Sequence, residues 1–220
     1  MFKGALFDLD GVIADTAPLH FDAWKQIIFE HFKVNIPDTI EEKTKGVSRE
    51  DSLRIILEFL NISISDCDFI NLCEEKNKLY VESLEKLTPS YILPGIETFI
   101  QDLQNNGIKL ALASSSKNGP FILKKLGLDS FFGAIANPED ITNGKPAPDI
   151  FLAAAKSILC GAEECIAIED SVAGVTAINS ANMFSVAVGG TELSHANKLF
   201  SSTKKLTFSE VEKAWQNCKR

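Results

Sequence analysis

The sequence predicts an α/β protein built on a parallel sheet, with a helical segment inserted after the first strand. Three observations lead to this prediction. Short apolar runs alternate with helical stretches over most of the chain, the first run ends in two aspartates before a glycine turn, and residues 16–87 are helical nearly throughout. Short strands that alternate with helices are typical of parallel sheets with right-handed crossovers.

Four apolar runs bounded by turn signals are the predicted strands. The first, residues 5–7, leads directly into Asp8, and the others cover residues 108–113, 165–168 and 184–188. Short apolar runs that are bounded by turn signals and separated by helical stretches are typical of strands in a parallel α/β sheet.

The helices between these strands carry recognisable start and stop signals. Proline stands near the start of two of them and glycine follows the end of three. This asymmetry is typical of helix termini. The four helices are predicted at residues 96–106, 120–126, 148–159 and 172–182.

Residues 16–87 are predicted to form a small helical cap over the sheet. Apolar residues repeat with helical spacing in three stretches, 19–32, 53–60 and 69–80. Ser48 is followed three residues later by Asp51, which resembles a capping box at a helix start.

The domain boundaries follow from this insertion. We expect a core made of residues 1–15 and 88–220, and a cap made of residues 16–87. Prolines at positions 89 and 94 mark the return to the core. Two connecting strands, near residues 14–16 and 88–93, would then serve as the hinge.

Composition narrows the classes of partner and the compartment. The formal net charge is −8 and no basic run offsets it, which argues against nucleic acid and anionic membranes as partners. No apolar run approaches the ~18 residues of a membrane span, and no signal peptide is expected. The five cysteines are odd in number and form no CxxC pair. We therefore expect reduced thiols in a cytoplasmic protein.

Asp8 and Asp10 are the most informative pair of residues. Alternate residues of a strand share one face, so their carboxylates are expected to lie close together. Such a pair is unfavourable unless a cation or a proton relieves the repulsion. Metal-dependent phosphoryl transfer can use it, because one oxygen attacks phosphorus while the second carboxylate moves a proton. The alternative is a solvated turn, since Asp-Gly pairs are common turn formers.

Other polar residues also follow predicted strands. Residues 114–118 follow the second strand, Lys145 lies in a Lys-Pro turn, and the pair Glu169 and Asp170 ends a later strand. Taken singly, the serine and lysine segments are ordinary loops, and acidic residues before a helix commonly interact with the positive end of its dipole. Ligands bind at the carboxyl ends of parallel strands, so together they predict one site at that edge of the sheet.

These motifs resemble the haloacid dehalogenase superfamily of phosphotransferases over almost the whole chain. Residues 7–12 (FDLDGV), Ser114, Lys145 and the Glu169-Asp170 pair carry the resemblance. Within the superfamily, residues 45–53 and 113–121 are most similar to the β-phosphoglucomutases. The resemblance implies a Rossmann-like parallel sheet flanked by helices, with an inserted α-helical cap. The residues from position 191 onward add nothing to it.

The resemblance implies an activity and a set of catalytic roles. It implies interconversion of β-D-glucose 1-phosphate and D-glucose 6-phosphate through β-D-glucose 1,6-bisphosphate. Asp8 would accept the phosphoryl group, Asp10 would be the general acid and base, and Ser114 and Lys145 would hold the phosphoryl oxygens. One Mg²⁺ ion is implied, with an all-oxygen ligand set that suits a hard cation: the Asp8 carboxylate, the backbone carbonyl of Asp10, Glu169 and Asp170.

The implied substrate site lies in the cap and after the second strand. Arg49 suits the phosphate that is not transferred, because its planar fork binds two oxygens. Trp24 could equally be a core anchor, and His20 could merely cap a helix. Ser115 stands where alanine is more usual in the motif, without consequence if only its backbone amide is used. The implied set is Thr16, His20, Trp24, Lys45, Gly46, Val47, Ser48, Arg49, Ser52, Lys76, Ser115, Ser116, Lys117 and Asn118.

Two alternatives to a mutase remain open. A capped sugar-phosphate phosphatase would have the same core but use water as the acceptor; provision for a second phosphate favours the mutase. A binding protein of the same fold would ordinarily have lost one of the acidic or lysine residues of the motif, and this chain keeps them. We expect a monomer, since the cap must swing freely, and we expect Thr16 at the hinge to couple cap position to the conformation of Asp10.

Overall fold

A parallel sheet of six strands forms the centre of the molecule, in a computed structural model that describes residues 1–218. The strand order is β3-β2-β1-β4-β5-β6. This confirms the predicted α/β class. The strands are β1 (Gly4–Phe7), β2 (Lys109–Leu112), β3 (Ala134–Ile135), β4 (Cys165–Glu169), β5 (Phe184–Val188) and β6 (Lys198–Phe200).

Two of these strands, β3 and β6, are not predicted by the sequence. They are the two edge strands, and each pairs with one neighbour only. β3 has two residues and β6 has three, which is too short for a pattern of hydrophobicity to be recognised. Tertiary pairing with β2 and β5 makes them strands.

The segment between β1 and β2 is helical and packs around an apolar cluster of its own. Its helices are α1 (Ala17–Phe32), α2 (Glu41–Thr44), α3 (Arg49–Leu60) and α4 (Asp66–Leu84). The cluster joins α1, α3 and α4 through residues that include Trp24, Leu53 and Leu72. Ser48 caps α3 as predicted, because its hydroxyl accepts a 3.0 Å hydrogen bond from the Asp51 amide.

The two segments that connect this insert to the sheet run side by side. Ala14 forms an isolated antiparallel bridge with Ile92, and the Leu93 amide donates to the Ile13 carbonyl at 2.9 Å. Part of the second segment is a 3₁₀ turn, Pro89–Tyr91. The sequence predicted a strand in each connecting segment. The structure has only a single bridge between them, so the predicted strands are too long.

The remaining helices cover both faces of the sheet. They are α5 (Ile96–Asn105), α6 (Gly119–Leu126), α7 (Asp149–Ser157), α8 (Val172–Ser180) and α9 (Phe208–Cys218). Successive residues of β1 face opposite sides, as a strand requires: Phe7 packs in the cluster of α5, α6 and α9, and Leu6 in that of α7 and α8. Within residues 1–218 we find no helix of the length and apolarity that a bilayer crossing demands.

Candidate active site

The site lies where the strand order reverses. β2 and β4 flank β1 on its two sides, so the loops after these three strands leave the same edge of the sheet. Phe7 is paired with Ile168 in β4, which places Asp8 beside Glu169. Ser114 follows β2 on the other side. The switch point of an open parallel sheet is where ligands bind in this architecture.

Three carboxylates and one lysine are buried together at this point. Oxygens of Asp8, Glu169 and Asp170 lie within 4.8 Å of one another. The Lys145 ammonium donates to Asp8 Oδ1 and to Glu169 Oε1, at 2.6 Å in each case, and its side chain is fully buried. One buried cation offsets only part of the charge of three carboxylates.

The ionisation of the cluster reflects this excess of negative charge. Burial raises the pKa of Asp8 well above its ordinary value; Lys145 opposes the rise and Glu169 adds to it. Burial and then the charge of Glu169 raise the pKa of Asp170 to about 7. Further positive charge placed among these groups would favour their ionised forms.

The cluster fits a hard divalent cation such as Mg²⁺. One oxygen of Glu169, Oε2, accepts hydrogen bonds from the amides of Asp170 and Ser171, both at 2.8 Å. Asp170 Oδ1 is buried and, within the described part of the chain, has no hydrogen-bond partner. A buried oxygen without a donor, beside two other carboxylates, is a ready ligand for an oxygen-coordinated ion.

Asp10 is held towards the insert by three side chains. Thr16 Oγ1 and the Tyr80 hydroxyl donate to its Oδ1, at 2.5 and 3.2 Å, and His20 Nε2 lies 3.5 Å from its Oδ2. Burial alone would raise the pKa of Asp10, but His20 and these hydrogen bonds lower it below the usual value. Asp10 is therefore an ionised carboxylate bound by the connecting segment and by α1 and α4.

The buried Lys76 and the half-buried His20 form a pair next to Asp10. Lys76 Nζ lies 2.6 Å from His20 Nδ1, and the His20 ring stacks on Tyr80 with centroids 3.7 Å apart. Burial, and then the positive charge of Arg49, lower the pKa of Lys76 to about 7. Burial and Lys76 likewise lower the pKa of His20. A cation of this kind becomes more favourable when an anion is bound nearby.

Donors from the insert and from the core meet at one oxygen of Asn77. Arg49 Nη2 donates to Asn77 Oδ1 at 2.8 Å, and Asn118 Nδ2 donates to the same atom at 3.1 Å. Arg49 begins α3, whereas Asn118 lies in the loop after β2. A phosphate has several acceptor oxygens and can bind both donors at once.

A cavity between the insert and the strand ends joins these groups. Trp24 is 2% exposed; it lines this cavity and also belongs to the apolar cluster of the insert. The predicted residues that line the cavity are Asp8, Asp10, His20, Trp24, Lys45, Gly46, Val47, Arg49, Ser52, Lys76, Ser114, Ser115, Ser116, Lys117 and Asn118.

Five predicted residues lie outside the cavity lining. Lys145, Glu169 and Asp170 lie beneath it around Asp8. Thr16 is fully buried and contacts Asp10, and the Ser48 hydroxyl bonds to Asp51 at the start of α3.

The sequence did not identify Tyr80 and Asn77 as site residues. Both lie on α4, close to Lys76, and both bond to predicted site residues. The available signal was the position of Lys76 itself, because a lysine within an apolar helical stripe must be paired or desolvated. Tyr80, about one turn after Lys76, shares its helix face and could be inferred in this way, whereas Asn77 is the next residue along and does not share that face.

The loop from α2 to α3 contacts the core directly. Lys45 Nζ lies 3.0 Å from Asp170 Oδ2, and the Ser115 hydroxyl donates to the Gly46 carbonyl at 3.0 Å. The serine at position 115 would be without consequence if only its backbone amide were used; in this structure its side chain also joins the core to the insert.

Comparison with known proteins shows similarity along the whole chain. A family model of haloacid dehalogenase-like hydrolases matches residues 2–182. The β-phosphoglucomutase of Bacillus subtilis (strain 168) is 42% identical over 217 residues, which cover 97% of this chain and 96% of that protein. The phosphorylated carbohydrates phosphatase of Thermotoga maritima is 30% identical over 184 residues, 82% of each chain.

A solved structure agrees with this result. The crystal structure of β-phosphoglucomutase from Clostridium difficile matches with a TM-score of 0.95 and 42% identity, over 99% of both chains. The similarity therefore extends over the sheet and the helical insert alike.

Proposed function

Because this chain belongs to the haloacid dehalogenase-like hydrolase family and is similar to β-phosphoglucomutases over its whole length, we propose that it is a phosphomutase that interconverts β-D-glucose 1-phosphate and D-glucose 6-phosphate. The resemblance that the sequence predicted is confirmed. The substrate, the catalytic roles and the bisphosphate intermediate are the parts that we propose.

One observation carries the proposal: two groups of side chains with the chemistry to bind a phosphate line the same cavity. The first group is Asp8 and Ser114, with the Lys145 ammonium 2.6 Å from Asp8 Oδ1. The second group is Arg49 and Asn118, whose donors converge on Asn77. An enzyme that removes a single phosphate needs only the first of these sites, whereas a mutase must hold two phosphates at once.

The chemistry begins with attack of an Asp8 carboxylate oxygen on phosphorus. The new O–P bond makes an aspartyl phosphate while the bond from phosphorus to the sugar oxygen of the bisphosphate breaks. Asp10 returns to this oxygen the proton that it takes from a sugar hydroxyl in the opposite transfer. Lys145 and Ser114 donate to the phosphoryl oxygens, where charge is spread in the transition state. Asp8, Glu169, Asp170 and the Asp10 carbonyl would hold Mg²⁺, which would neutralise part of that charge.

The reverse transfer completes the cycle. Phospho-Asp8 gives its phosphoryl group to a hydroxyl of the bound sugar phosphate, and Asp10 removes the proton of that hydroxyl. The product is β-D-glucose 1,6-bisphosphate, which turns round in the site. Its other phosphate then returns to Asp8 while Arg49 and Asn118 bind the phosphate that stays. We propose that the bisphosphate is both intermediate and activator.

Water is the competing acceptor for phospho-Asp8. A thousandfold preference for the sugar requires about 4 kcal/mol between the two barriers. Closure of the insert over the site can provide this difference by excluding water and by orienting the hydroxyl. Thr16, His20 and Tyr80 contact Asp10 in this structure. These contacts support a second contribution to the difference in barriers, in which Asp10 becomes available as a base only when a sugar is bound.

A product assay tests the proposal. The protein is mixed with Mg²⁺, β-D-glucose 1-phosphate and a trace of the bisphosphate, with an Asp8→Asn variant as the inactive control. We expect D-glucose 6-phosphate, and little of it from the α-anomer. Release of inorganic phosphate as the main product would instead establish a sugar-phosphate phosphatase, which is the alternative favoured by the similarity to the Thermotoga enzyme.

We propose three further properties of the molecule. Residues 16–87 move as a cap on the connecting segments, and residues 1–15 and 88–220 form the core, of which positions 219 and 220 lie outside the described residues. The protein acts as a monomer, so that this movement is unhindered. It works in the reducing cytoplasm, which is consistent with its five free cysteines.

A further inference from the structure

The short loop between α2 and α3, residues 45–47, is docked on the core by three contacts. We refer to residues 45–47 as the docking loop. Its Lys45 pairs with Asp170 Oδ2 at 3.0 Å, and its Gly46 carbonyl accepts the hydroxyl of Ser115 at 3.0 Å. Gly46 also lies against Ser171, since a Cβ added to it would be 2.2 Å from Ser171 Oγ. A side chain at position 46 would therefore prevent this approach.

The three contacts differ in what they depend on. The ion pair of Lys45 involves Asp170, a residue of the acidic cluster, so its strength varies with the charge of that cluster. The approach of Gly46 to Ser171 is a steric fit with no attraction of its own. The Ser115 hydrogen bond joins a neutral hydroxyl to a backbone carbonyl, so its strength does not depend directly on the ionisation of the acidic cluster.

The position of Ser115 suits it to hold the loop. It lies between Ser114 and Ser116 in the loop after β2, and the backbone at Ala113 is tied to Phe7 by a 2.7 Å hydrogen bond. The donor is therefore fixed to the sheet, while the acceptor belongs to the insert. Ser115 and Gly46 both line the cavity, so their hydrogen bond closes part of its wall.

We propose that Ser115 is a positioning residue, whose hydroxyl holds the docking loop closed on the core and thereby keeps water from the phosphoryl group on Asp8. The consequence for catalysis rests on the function proposed above, whereas the docking contact does not. Loss of a neutral hydrogen bond is expected to shift the closed-to-open ratio of the loop about fivefold, which corresponds to about 1 kcal/mol.

The test compares Ser115→Ala with a matched control, Ser157→Ala. Ser157 also donates its hydroxyl to a backbone carbonyl, that of Ala154 at 2.7 Å, but within α7 of the core. Hydrogen–deuterium exchange is measured for the amides of residues 44–48 in the full chain. The share of phosphoryl groups lost to water is measured in the same preparations, as the ratio of inorganic phosphate to D-glucose 6-phosphate.

We expect Ser115→Ala to raise both the exchange rate of residues 44–48 and the share lost to water, each about fivefold. Ser157→Ala should change neither, and Ser115→Thr, which keeps the hydroxyl, should remain close to the unsubstituted protein. Unchanged exchange in Ser115→Ala would overturn the docking role, and faster exchange without a larger share lost to water would overturn the role in excluding water.

The two proposals can fail separately. If the unsubstituted protein forms no D-glucose 6-phosphate, the mutase function fails, and the exchange measurement still decides whether Ser115 holds the docking loop. If it forms D-glucose 6-phosphate while exchange in Ser115→Ala is unchanged, the mutase stands and the inference about Ser115 falls.

Discussion

The Thr16 hydroxyl and the Asp10 carboxylate are joined by a hydrogen bond of 2.5 Å. Thr16 immediately precedes α1, on the segment that leads from the sheet into the insert, and it is fully buried. A movement of the insert that displaces Thr16 must therefore change the environment of Asp10. This contact supports the expectation that cap position and the general acid and base are coupled.

Replacing Thr16 by valine tests this coupling. Valine has nearly the same shape but no hydroxyl, so Asp10 loses a bond that favours its ionised form, and the pKa of Asp10 should rise. We expect the acidic limb of the kcat/KM profile to move to higher pH. We also expect phospho-Asp8 to hydrolyse about threefold to tenfold faster without sugar, because Asp10 is held less firmly.

Thr16→Ser is the control for this variant, since it keeps the donor. In both measurements, the pH profile and the hydrolysis of the isolated phosphoenzyme, Thr16→Ser should behave like the unsubstituted protein. If Thr16→Val gave the same hydrolysis rate and the same acidic limb as Thr16→Ser, the coupling through Thr16 would be refuted.

The two carboxylates Asp10 and Asp170 are expected to separate catalysis from metal binding. Asp10→Asn removes the proposed general acid and base, so turnover should fall by about 10²–10⁴. Its Mg²⁺ affinity should remain nearly intact, because only the backbone carbonyl of Asp10 is proposed as a ligand. Asp170→Asn removes a charged oxygen that is proposed as a ligand, and should weaken Mg²⁺ binding markedly.

The affinity is measured from the rise of the thermal midpoint as Mg²⁺ is added, since a ligand that binds the folded state stabilises it. The unsubstituted protein and Asp10→Asn should show similar titration curves, and Asp170→Asn a curve displaced to higher concentration. Equal displacement of both variants would contradict the proposed division of roles.

Arg49→Ala should impair binding of the phosphate that is not transferred. The guanidinium bonds to Asn77 in this structure and can bond to two phosphate oxygens. Loss of such charge-assisted bonds, worth about 2–3 kcal/mol, should raise KM roughly 30- to 150-fold. The share of phosphoryl groups lost to water should also increase, because the sugar is oriented less well.

Arg54→Ala is a matched control for this prediction. Arg54 lies on the same helix, α3, but it is exposed and pairs with Asp51 at 2.9 Å. Its loss should leave the kinetics of both sugar phosphates unchanged. Equal KM values for Arg49→Ala and Arg54→Ala would remove the distal phosphate site from the scheme.

We expect the buried Lys76 to lower the free energy of unfolding while it contributes to substrate binding. Its pKa is about 7 in the folded protein and 10.5 when unperturbed. Between pH 7 and pH 10.5 the unfolded chain binds more protons than the folded one, so the free energy of unfolding rises with pH across this window. The full destabilisation by Lys76 is therefore present below pH 7. Lys76→Met should therefore stabilise the protein at pH 6 by about 2–5 kcal/mol, while weakening substrate binding.

The gain from Lys76→Met should shrink by about 2–3 kcal/mol between pH 6 and pH 9, at about 1.4 kcal/mol per pKa unit. Urea unfolding at the two values measures it. Lys78→Met, which removes an exposed lysine of the same helix, should change stability little at either pH. A gain from Lys76→Met that did not depend on pH would show that Lys76 is not a buried cation.

The sequence by itself determined the class of fold and the chemical groups of the site. Apolar runs that alternate with helices predict a parallel sheet, and the polar residues after Phe7, Ala113 and Ile168 predict a site at one edge. Local signals suffice here, because strand periodicity and helix caps depend on neighbouring residues. The helix cap that Ser48 forms with the Asp51 amide at the start of α3 was predictable for the same reason.

Only the tertiary structure decided which of these groups touch. The sequence does not say that Lys145 lies between Asp8 and Glu169, that Tyr80 bonds to Asp10, or that Ser115 reaches Gly46. These contacts join residues that are distant along the chain, and their geometry depends on how the insert packs on the sheet. The two-residue strand β3 and the three-residue strand β6 were missed for the same physical reason: they exist because a neighbouring strand offers hydrogen bonds, a condition that no local pattern records.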